Sequence, residues 1–289
     1  MKDEIIDCLA YNGKVSIKCI SSREIVEKAR KLHDLSPTAS AALGRLLTIT
    51  SIMGYELKTE EASITNQIKG NGPIGILTAV ADSNGNVKGY VGDGKVDLPL
   101  RKSDGKLDVC GAVGKQGMLY IIKDLGIGKP YVGMTPIVSG EIAEDFTNYF
   151  ATSEQVPSAV GLGVLMSKDN TVKQAGGFIV QLMPFADEET IQALEDRISK
   201  ITSVTDMLEK GMTLKEVMGD MDVEFTDKID TQFKCTCSKE KIVKALAGLS
   251  NKELDEIIND GKAIEVKCDF CNTTYKFSVE ELKTLRKKY

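Results

Sequence analysis

The sequence predicts an α+β protein, and three observations predict it. Short strand-like runs separated by Gly-, Asn- and Asp-rich turns fill the first 184 residues, with apolar helices among them. Past Pro184 the apolar residues recur at helical spacing. The last sixty residues then gather four cysteines. Together these give an N-terminal α+β domain built on antiparallel sheet with packed helices (residues 1–184), a helical linker (185–232) and a small C-terminal domain that binds zinc if its cysteines hold a metal (233–289).

Val15, Ile17 and Cys19 alternate with Ser16 and Lys18, which is a half-buried strand. Cys19 therefore points to the apolar side as a small core residue. Cys8 and Cys110 have no cysteine nearby in sequence and are read as buried and inert. Ser21-x-x-Glu24 caps a helix to about Leu32. Ser36-Pro37 opens a second helix, with proline at its first position, running through Leu43, Leu46, Leu47 and Ile49 to Gly54. Its apolar richness makes it a buried helix. Strands follow at 64–68 and 74–80, then a hairpin turn at Ser83-Asn84-Gly85-Asn86 and a strand at 87–91. Met118–Lys123 and Tyr131–Val138 add two more, Glu141–Phe150 reads as an amphipathic helix, and Ala159–Met166 with Val172–Met183 form a hairpin about Asp169-Asn170.

Two motifs are decoys. Gly70-Asn-Gly72-Pro-Ile-Gly75 matches the dinucleotide fingerprint G-x-G-x-x-G, but a strand-like run and no helix follows it. Without a helix N-terminus there is nothing to receive a pyrophosphate, so the glycines are read as a turn. His33-Asp34 sits at a helix C-terminal end, where a cation is favoured anyway. His33 is the only histidine, so a hydrolase triad has little support.

In the linker, Ile191, Leu194 and Ile198 keep helical spacing, Met207-Leu208 follows, and Thr213-x-x-Glu216 has the capping-box pattern. Gly211 and Gly219 break it into short pieces. Two readings stand side by side: an ordinary connector, or a marginal element held mainly by docking onto something else.

Composition narrows the function classes. The 289 residues carry a net charge of −5, which invites neither nucleic acid nor an anionic membrane. The start, Met1-Lys-Asp-Glu-Ile-Ile-Asp, has acids where a signal peptide has bases and a long apolar run. No stretch approaches the roughly twenty apolar residues that span a bilayer. A cytosolic protein is expected, and seven cysteines in a reducing compartment point to metal or redox use rather than a permanent disulfide framework.

Cys235, Cys237, Cys268 and Cys271 read as C-x-C, thirty residues, then C-x-x-C, with no histidine near. Four soft thiolates suit tetrahedral zinc. One reading is a permanent clamp on a domain too small to build its own core. The other is a switch. Lys234, Lys239 and Lys267 flank the cysteines and favour thiolate, hence reactive sulfur. Each pair is close enough in sequence to form a disulfide, and a disulfide cannot coexist with metal ligation by the same sulfurs. Around the site, Ser250-x-x-Glu253 and Ser278-x-x-Glu281 are capping boxes, Leu254, Ile257 and Ile258 form one helix face and Leu282 and Leu285 another, and Ile264–Val266 and Tyr275–Phe277 read as short strands.

Cys235-Thr-Cys237-Ser-Lys-Glu-Lys-Ile, with Val266-Lys-Cys268-Asp-Phe-Cys271-Asn-x-x-Tyr275-x-Phe277, resembles the redox-regulated 33 kDa heat-shock chaperonin family of holdases. Gln67–Gly75, Tyr149-Phe-x-x-Ser-Glu-Gln-x-Pro157 and Gly176-Gly-x-x-x-Gln181-x-x-Pro184 extend the resemblance over nearly the whole chain. The resemblance implies an ATP-independent chaperone, not an enzyme. It implies one zinc per chain on the four cysteines in the reduced, silent state. It further implies that oxidation forms Cys235–Cys237 and Cys268–Cys271 disulfides, releases zinc, loosens the linker and uncovers apolar surface for unfolding or oxidatively damaged client proteins. A homodimer is implied on activation. Two rivals remain: a zinc-module nucleic-acid binder, which lacks a dense basic-aromatic pattern, and a thiol–disulfide oxidoreductase on Cys268 and Cys271, which lacks a thioredoxin-like βαβ context.

Overall fold

The computed structural model describes residues 2–201, 203–210 and 222–286. The chain divides into two compact units, Met1–Lys234 and Cys235–Tyr289. In the first unit the described strands form two antiparallel sheets of five strands each. One has the order β10-β1-β2-β9-β8, from Val223–Thr231, Asp3–Ala10, Val15–Ser21, Val172–Leu182 and Ser158–Met166. The other has the order β5-β4-β3-β6-β7, from Val87–Val91, Ile76–Asp82, Ser63–Gly70, Gly117–Asp124 and Tyr131–Pro136.

The predicted apolar helix, α2 (Pro37–Tyr55), packs against strands of both sheets and is buried on nearly every side. A helix apolar all round has to be an interior one. Ser36 caps it, its Oγ accepting from the Ala39 amide at 3.1 Å. Gly44 allows the close crossing with α1 (Arg23–His33) and β8: a Cβ there would lie 2.7 Å from Val26 and 2.9 Å from Val164.

Strand alternation sends the first sheet's side chains to two separate cores. Ile5, Ile20, Ala175 and Ile179 face the main core around α2, whereas Cys8, Ala10, Val15, Ile17, Cys19, Phe178 and Val180 face a second, smaller one. That outer core is closed by Leu194 of α5 (Glu188–Ile198), by Ile198 and Ile201, and by Val204 of α6 (Val204–Glu209). Asp187 caps α5, its carboxylate accepting from the Thr190 amide at 3.0 Å while Lys14 pairs with it at 2.5 Å. The capping-box pattern at Thr213 lies outside the described residues.

Several expectations need correction. Residues 223–231, read as helical linker, are the edge strand β10 paired with β1. Most of its side chains are exposed, Phe225 among them, and Asp227 interrupts the alternation of Val223, Phe225 and Ile229, so the signal is weak and the pairing with β1 makes it a strand. Strand β1 carries no clean alternation either, because its first half buries Asp3 and Ile5 on one face and its second half Cys8 and Ala10 on the other. Ser21 does not cap α1. Its hydroxyl accepts from the Glu4 amide at 3.1 Å, and the helix begins after Ser22 with the Asp3 carboxylate taking the amides of Ile25 at 2.7 Å and Glu24 at 3.2 Å. Cys110 is half-buried rather than buried, in a short helix, α3 (Val109–Val113), that the sequence did not announce. The G-x-G-x-x-G stretch is a turn, as expected. The Val113 and Ala112 carbonyls lie against Gly70 and Gly72 so closely that no side chain fits at either.

The helix expected at 141–150 is α4 (Ala143–Tyr149), extended by a π-helical turn to Glu154. Asp145, fully buried, organises its start. Its carboxylate accepts from the amides of Val138 (2.8 Å), Ser139 (2.9 Å), Gly140 (3.3 Å) and Ile142 (2.9 Å). Those bonds hold Ile142 at φ +74°, a region a β-branched residue avoids.

Candidate metal and redox centre

In the second unit the four cysteines come from two chain segments. Cys235 and Cys237 lie in the extended run before α7 (Lys239–Ala247), whose first turn is capped by Ser238. Cys268 and Cys271 lie in the loop that joins β11 (Ile264–Lys267) to β12 (Thr274–Phe277), paired antiparallel with Ile264 opposite Phe277 and Lys267 opposite Thr274. The loop turns tightly. Cys268 donates its amide to the Thr273 carbonyl at 2.9 Å, its own carbonyl receives the Asn272 amide at 2.8 Å, and Asn272 takes a left-handed φ of +59°. Both predicted capping boxes are present, on α8 (Asn251–Asn259) and α9 (Val279–Arg286). They orient helices whose apolar faces meet at Leu254, Ile258, Phe277 and Leu282. The side chain of Leu285 lies outside the described residues.

All four sulfurs lie within 4.8 Å of one another. Sulfurs from the two segments stand against one another, Cys235 to Cys268 at 3.8 Å and Cys237 to Cys271 at 3.4 Å. Tetrahedral zinc with Zn–S near ~2.3 Å requires sulfur–sulfur edges of about 3.8 Å. The cluster fits a metal ion of that kind. An all-sulfur donor set is also the one that soft or borderline ions prefer.

The electrostatics explain why the sulfurs need such an ion. Burial pushes the Cys235 thiol up to about 12, and burial likewise raises Cys268. Cys271 is the exception. Burial opposes its ionisation, yet the Thr273 hydroxyl at 3.2 Å, the Thr273 backbone amide and the neighbouring sulfurs bring it down to about 7. A bound cation deprotonates coordinating thiols outright, so it removes the cost that burial imposes. The flanking lysines do less than expected. Lys239 is engaged by Glu281 at 2.6 Å and lies over the Phe277 ring, and no lysine is among the leading influences on Cys235, Cys268 or Cys271. The groups the sequence reading missed are Thr273 and Tyr275, whose hydroxyl donates to the Cys237 sulfur at 3.1 Å. Strand alternation on β12 was the available signal: Tyr275 and Phe277 share a face, so one ring reaches the sulfurs while the other fills the core.

The C-x-x-C pair occupies a hairpin loop and not the N-terminus of a helix, so the oxidoreductase rival lacks its setting. The family model described as "Hsp33 protein" matches residues 3–278. The chain belongs to the Hsp33 family. It is 53% identical over 289 residues to the 33 kDa chaperonin of Lachnoclostridium phytofermentans, covering 99% of this chain and 98% of that one. The 33 kDa chaperonin of Agathobacter rectalis is 51% identical, with 99% and 100% covered. The crystal structure of the Hsp33 homologue from Thermotoga maritima superposes with a TM-score of 0.88 at 39% identity, covering 99% of this chain and 98% of that one. Hsp33 proteins are chaperones of the holdase type and not enzymes. No described helix is long and apolar enough to cross a membrane.

Proposed function

We propose that this chain is a redox-regulated, ATP-independent cytoplasmic holdase. It is silent while reduced and holding one zinc ion per chain through Cys235, Cys237, Cys268 and Cys271, and active once those thiols are oxidised. The observation that carries the reading is the pairing of a four-sulfur cluster with a thin core. Leu254, Ile258, Phe277 and Leu282 are the apolar side chains that form the buried centre of the described part of this unit. A domain built so sparingly depends on its clamp for folding.

Peroxide takes the sulfurs two at a time. A thiolate attacks one peroxide oxygen and becomes a sulfenic acid as the O–O bond breaks and hydroxide leaves, which takes the proton the thiol gave up and becomes water; a second thiol then displaces the hydroxyl as another water, and the disulfide remains. One peroxide is reduced for each disulfide formed. Cys235–Cys237 and Cys268–Cys271 are the proposed pairs, each between chain neighbours. Cys235–Cys268 with Cys237–Cys271 is the second reading, favoured by separations of 3.8 and 3.4 Å in the folded cluster. Either way the ligand set is consumed and the unit loses the interaction that supports its fold.

In this reading residues 1–184 are the chaperone core, 185–232 a metastable linker and 233–289 the switch. Without a folded switch the linker lifts from the core and uncovers the apolar face beneath α5 and α6. That face captures unfolding or oxidatively damaged proteins without sequence specificity, and activated chains associate as dimers. The test follows zinc content, free thiols and aggregation of a heat-denatured client on one sample, before and after peroxide, with the disulfides mapped by mass spectrometry. Loss of about one zinc and four thiols per chain as protection appears is the expected result. Zinc retained through the gain of protection, or zinc lost without it, refutes the reading.

A further inference from the structure

Two thiols lie beneath the linker and outside the metal cluster. Cys8 on β1 and Cys19 on β2 face the outer core of the first sheet, 0% and 1% exposed. Cys8 stands opposite Ile17 and Cys19 opposite Ile6, so the two are diagonal neighbours on one face. Neither is in a disulfide. Diagonal positions lie about 7–8 Å apart, beyond the span of roughly 4.4–6.8 Å that a disulfide bridges, so the pair does not close on itself within the sheet.

Linker side chains ahead of β10 help to hide them, beside Tyr11, Ala159, Leu182 and Val223. Leu194, Ile198, Ile201 and Val204 complete the cluster in which both cysteines are buried. The cover is slight. Of the described α5 side chains only Thr190 and Leu194 are buried, and the remaining ties include ion pairs of Lys14 with Asp187 and Lys106 with Asp206. Burial also keeps the sulfurs protonated: Cys8 is pushed up to about 11 and Cys19 higher still. Uncovered, both return toward the ordinary thiol value near ~8.5 and to ordinary reactivity.

We infer that Cys8 and Cys19 form a second, masked modification site, which takes peroxides and small soft electrophiles only after α5 and α6 leave the face, and whose adducts keep those helices from returning. The inference rests on the reading that the linker lifts on activation. With peroxide, the thiolate forms an S–O bond as the O–O bond breaks and the sulfur loses two electrons; one oxygen stays as the sulfenic acid and the other leaves as hydroxide, which takes the proton the thiol gave up and becomes water. With a maleimide, an S–C bond forms and the thiol proton ends on the adjacent carbon. Either product adds a polar or bulky group to the face against which Leu194 and Val204 pack, so modification and docking exclude one another. Whatever binds only the open form shifts the balance toward it. Reducing the four switch cysteines and restoring zinc then fails to silence a chain alkylated at Cys8 or Cys19, whereas a sulfenic acid there is reduced along with the switch and releases the latch.

The first test opens the face without oxidant. Full-length Leu194→Asp, reduced and zinc-loaded, is treated with N-ethylmaleimide beside wild type, and the labelled peptides are timed by mass spectrometry. A carboxylate in the outer core opens the face enough to speed labelling of Cys8 and Cys19 on the order of 100-fold. Cys110 keeps its wild-type rate and zinc content is unchanged. Unchanged rates at Cys8 and Cys19, or a rise in step with Cys110, overturn the proposal. The second test uses peroxide-activated wild type, whose switch thiols are already disulfides. It is labelled with N-ethylmaleimide, freed of reagent, reduced with dithiothreitol and given zinc. Wild type is expected to keep protecting a client, while Cys8→Ala/Cys19→Ala treated identically falls silent. If both fall silent, the latch is wrong while the redox-holdase reading stands. If activation of untreated wild type releases zinc without protection, that reading fails on its own, and the Leu194→Asp rates still decide whether the site is masked.

Discussion

Phe277→Ala tests whether the folding of the switch unit and its metal binding are one event. Phe277 is 1% exposed, sits on β12 two residues from Tyr275, and packs with Leu254, Ile258 and Leu282. Truncating a buried phenylalanine costs about 3–5 kcal/mol, the loss of transferred surface plus the cavity left behind. The contact of the Lys239 ammonium with the ring adds about 0.5 kcal/mol, since that lysine is partly exposed. So small a core collapses easily around a gap, which argues for the lower half of the range, about 3–4 kcal/mol. If the unit folds only around its ion, that loss is paid entirely in metal affinity, and each ~1.4 kcal/mol is tenfold. The apparent zinc affinity should therefore fall by roughly 100- to 1,000-fold. Competition against a chromophoric chelator measures it directly, and the variant should also become an active holdase at lower peroxide. A variant that binds zinc like wild type while its switch unit melts earlier would refute the coupling, because folding and metal binding would then be separate equilibria.

Cys271→Ser removes the sulfur that the Thr273 hydroxyl and amide help to ionise; zinc should be lost under mild chelation, and client protection should appear without oxidant, read by light scattering. Asp145→Ala strands four backbone amides that now share one buried carboxylate, and releases Ile142 from its left-handed φ. Urea denaturation followed by circular dichroism should show the first unit weakened by about 4 kcal/mol or more. Asp3 gives a pH signature: burial pushes its carboxyl up to about 6 against the hydrogen bonds from Ile25 and Glu24. A carboxyl raised in the folded state binds its proton more tightly there than in the unfolded chain, near ~3.9. Stability should therefore rise as pH falls from 7 through 6 toward 4, by about 2–3 kcal/mol from this group. Asp3→Asn should remove that slope; a slope that survives the substitution assigns the effect elsewhere.

The hairpin strands and the buried helix α2 were legible because their signals are local: alternation, turn residues, proline at a helix start. The two capping boxes of the switch unit were legible for the same reason. Strand β10 was not, since Asp227 interrupts the spacing of Val223, Phe225 and Ile229, most of its residues are exposed, and pairing with β1 makes it a strand. The Ser21 cap was plausible by spacing, but Asp3, on another strand, reached the helix amides instead.

By itself the sequence determined the α+β class and the four-thiolate donor set, because residue type and short spacing dictate soft-metal chemistry directly. Tertiary structure alone brought sulfurs of the two segments together, with Cys235 beside Cys268 and Cys237 beside Cys271. It also set the Thr273 hydroxyl against Cys271, whose thiol it helps to lower, and the Tyr275 hydroxyl against Cys237. It placed Cys8 and Cys19 under the linker helices, a relation between positions almost two hundred residues apart. Hydrogen bonds, screening and burial act over a few ångströms of space, and sequence distance says nothing about which groups come within that range.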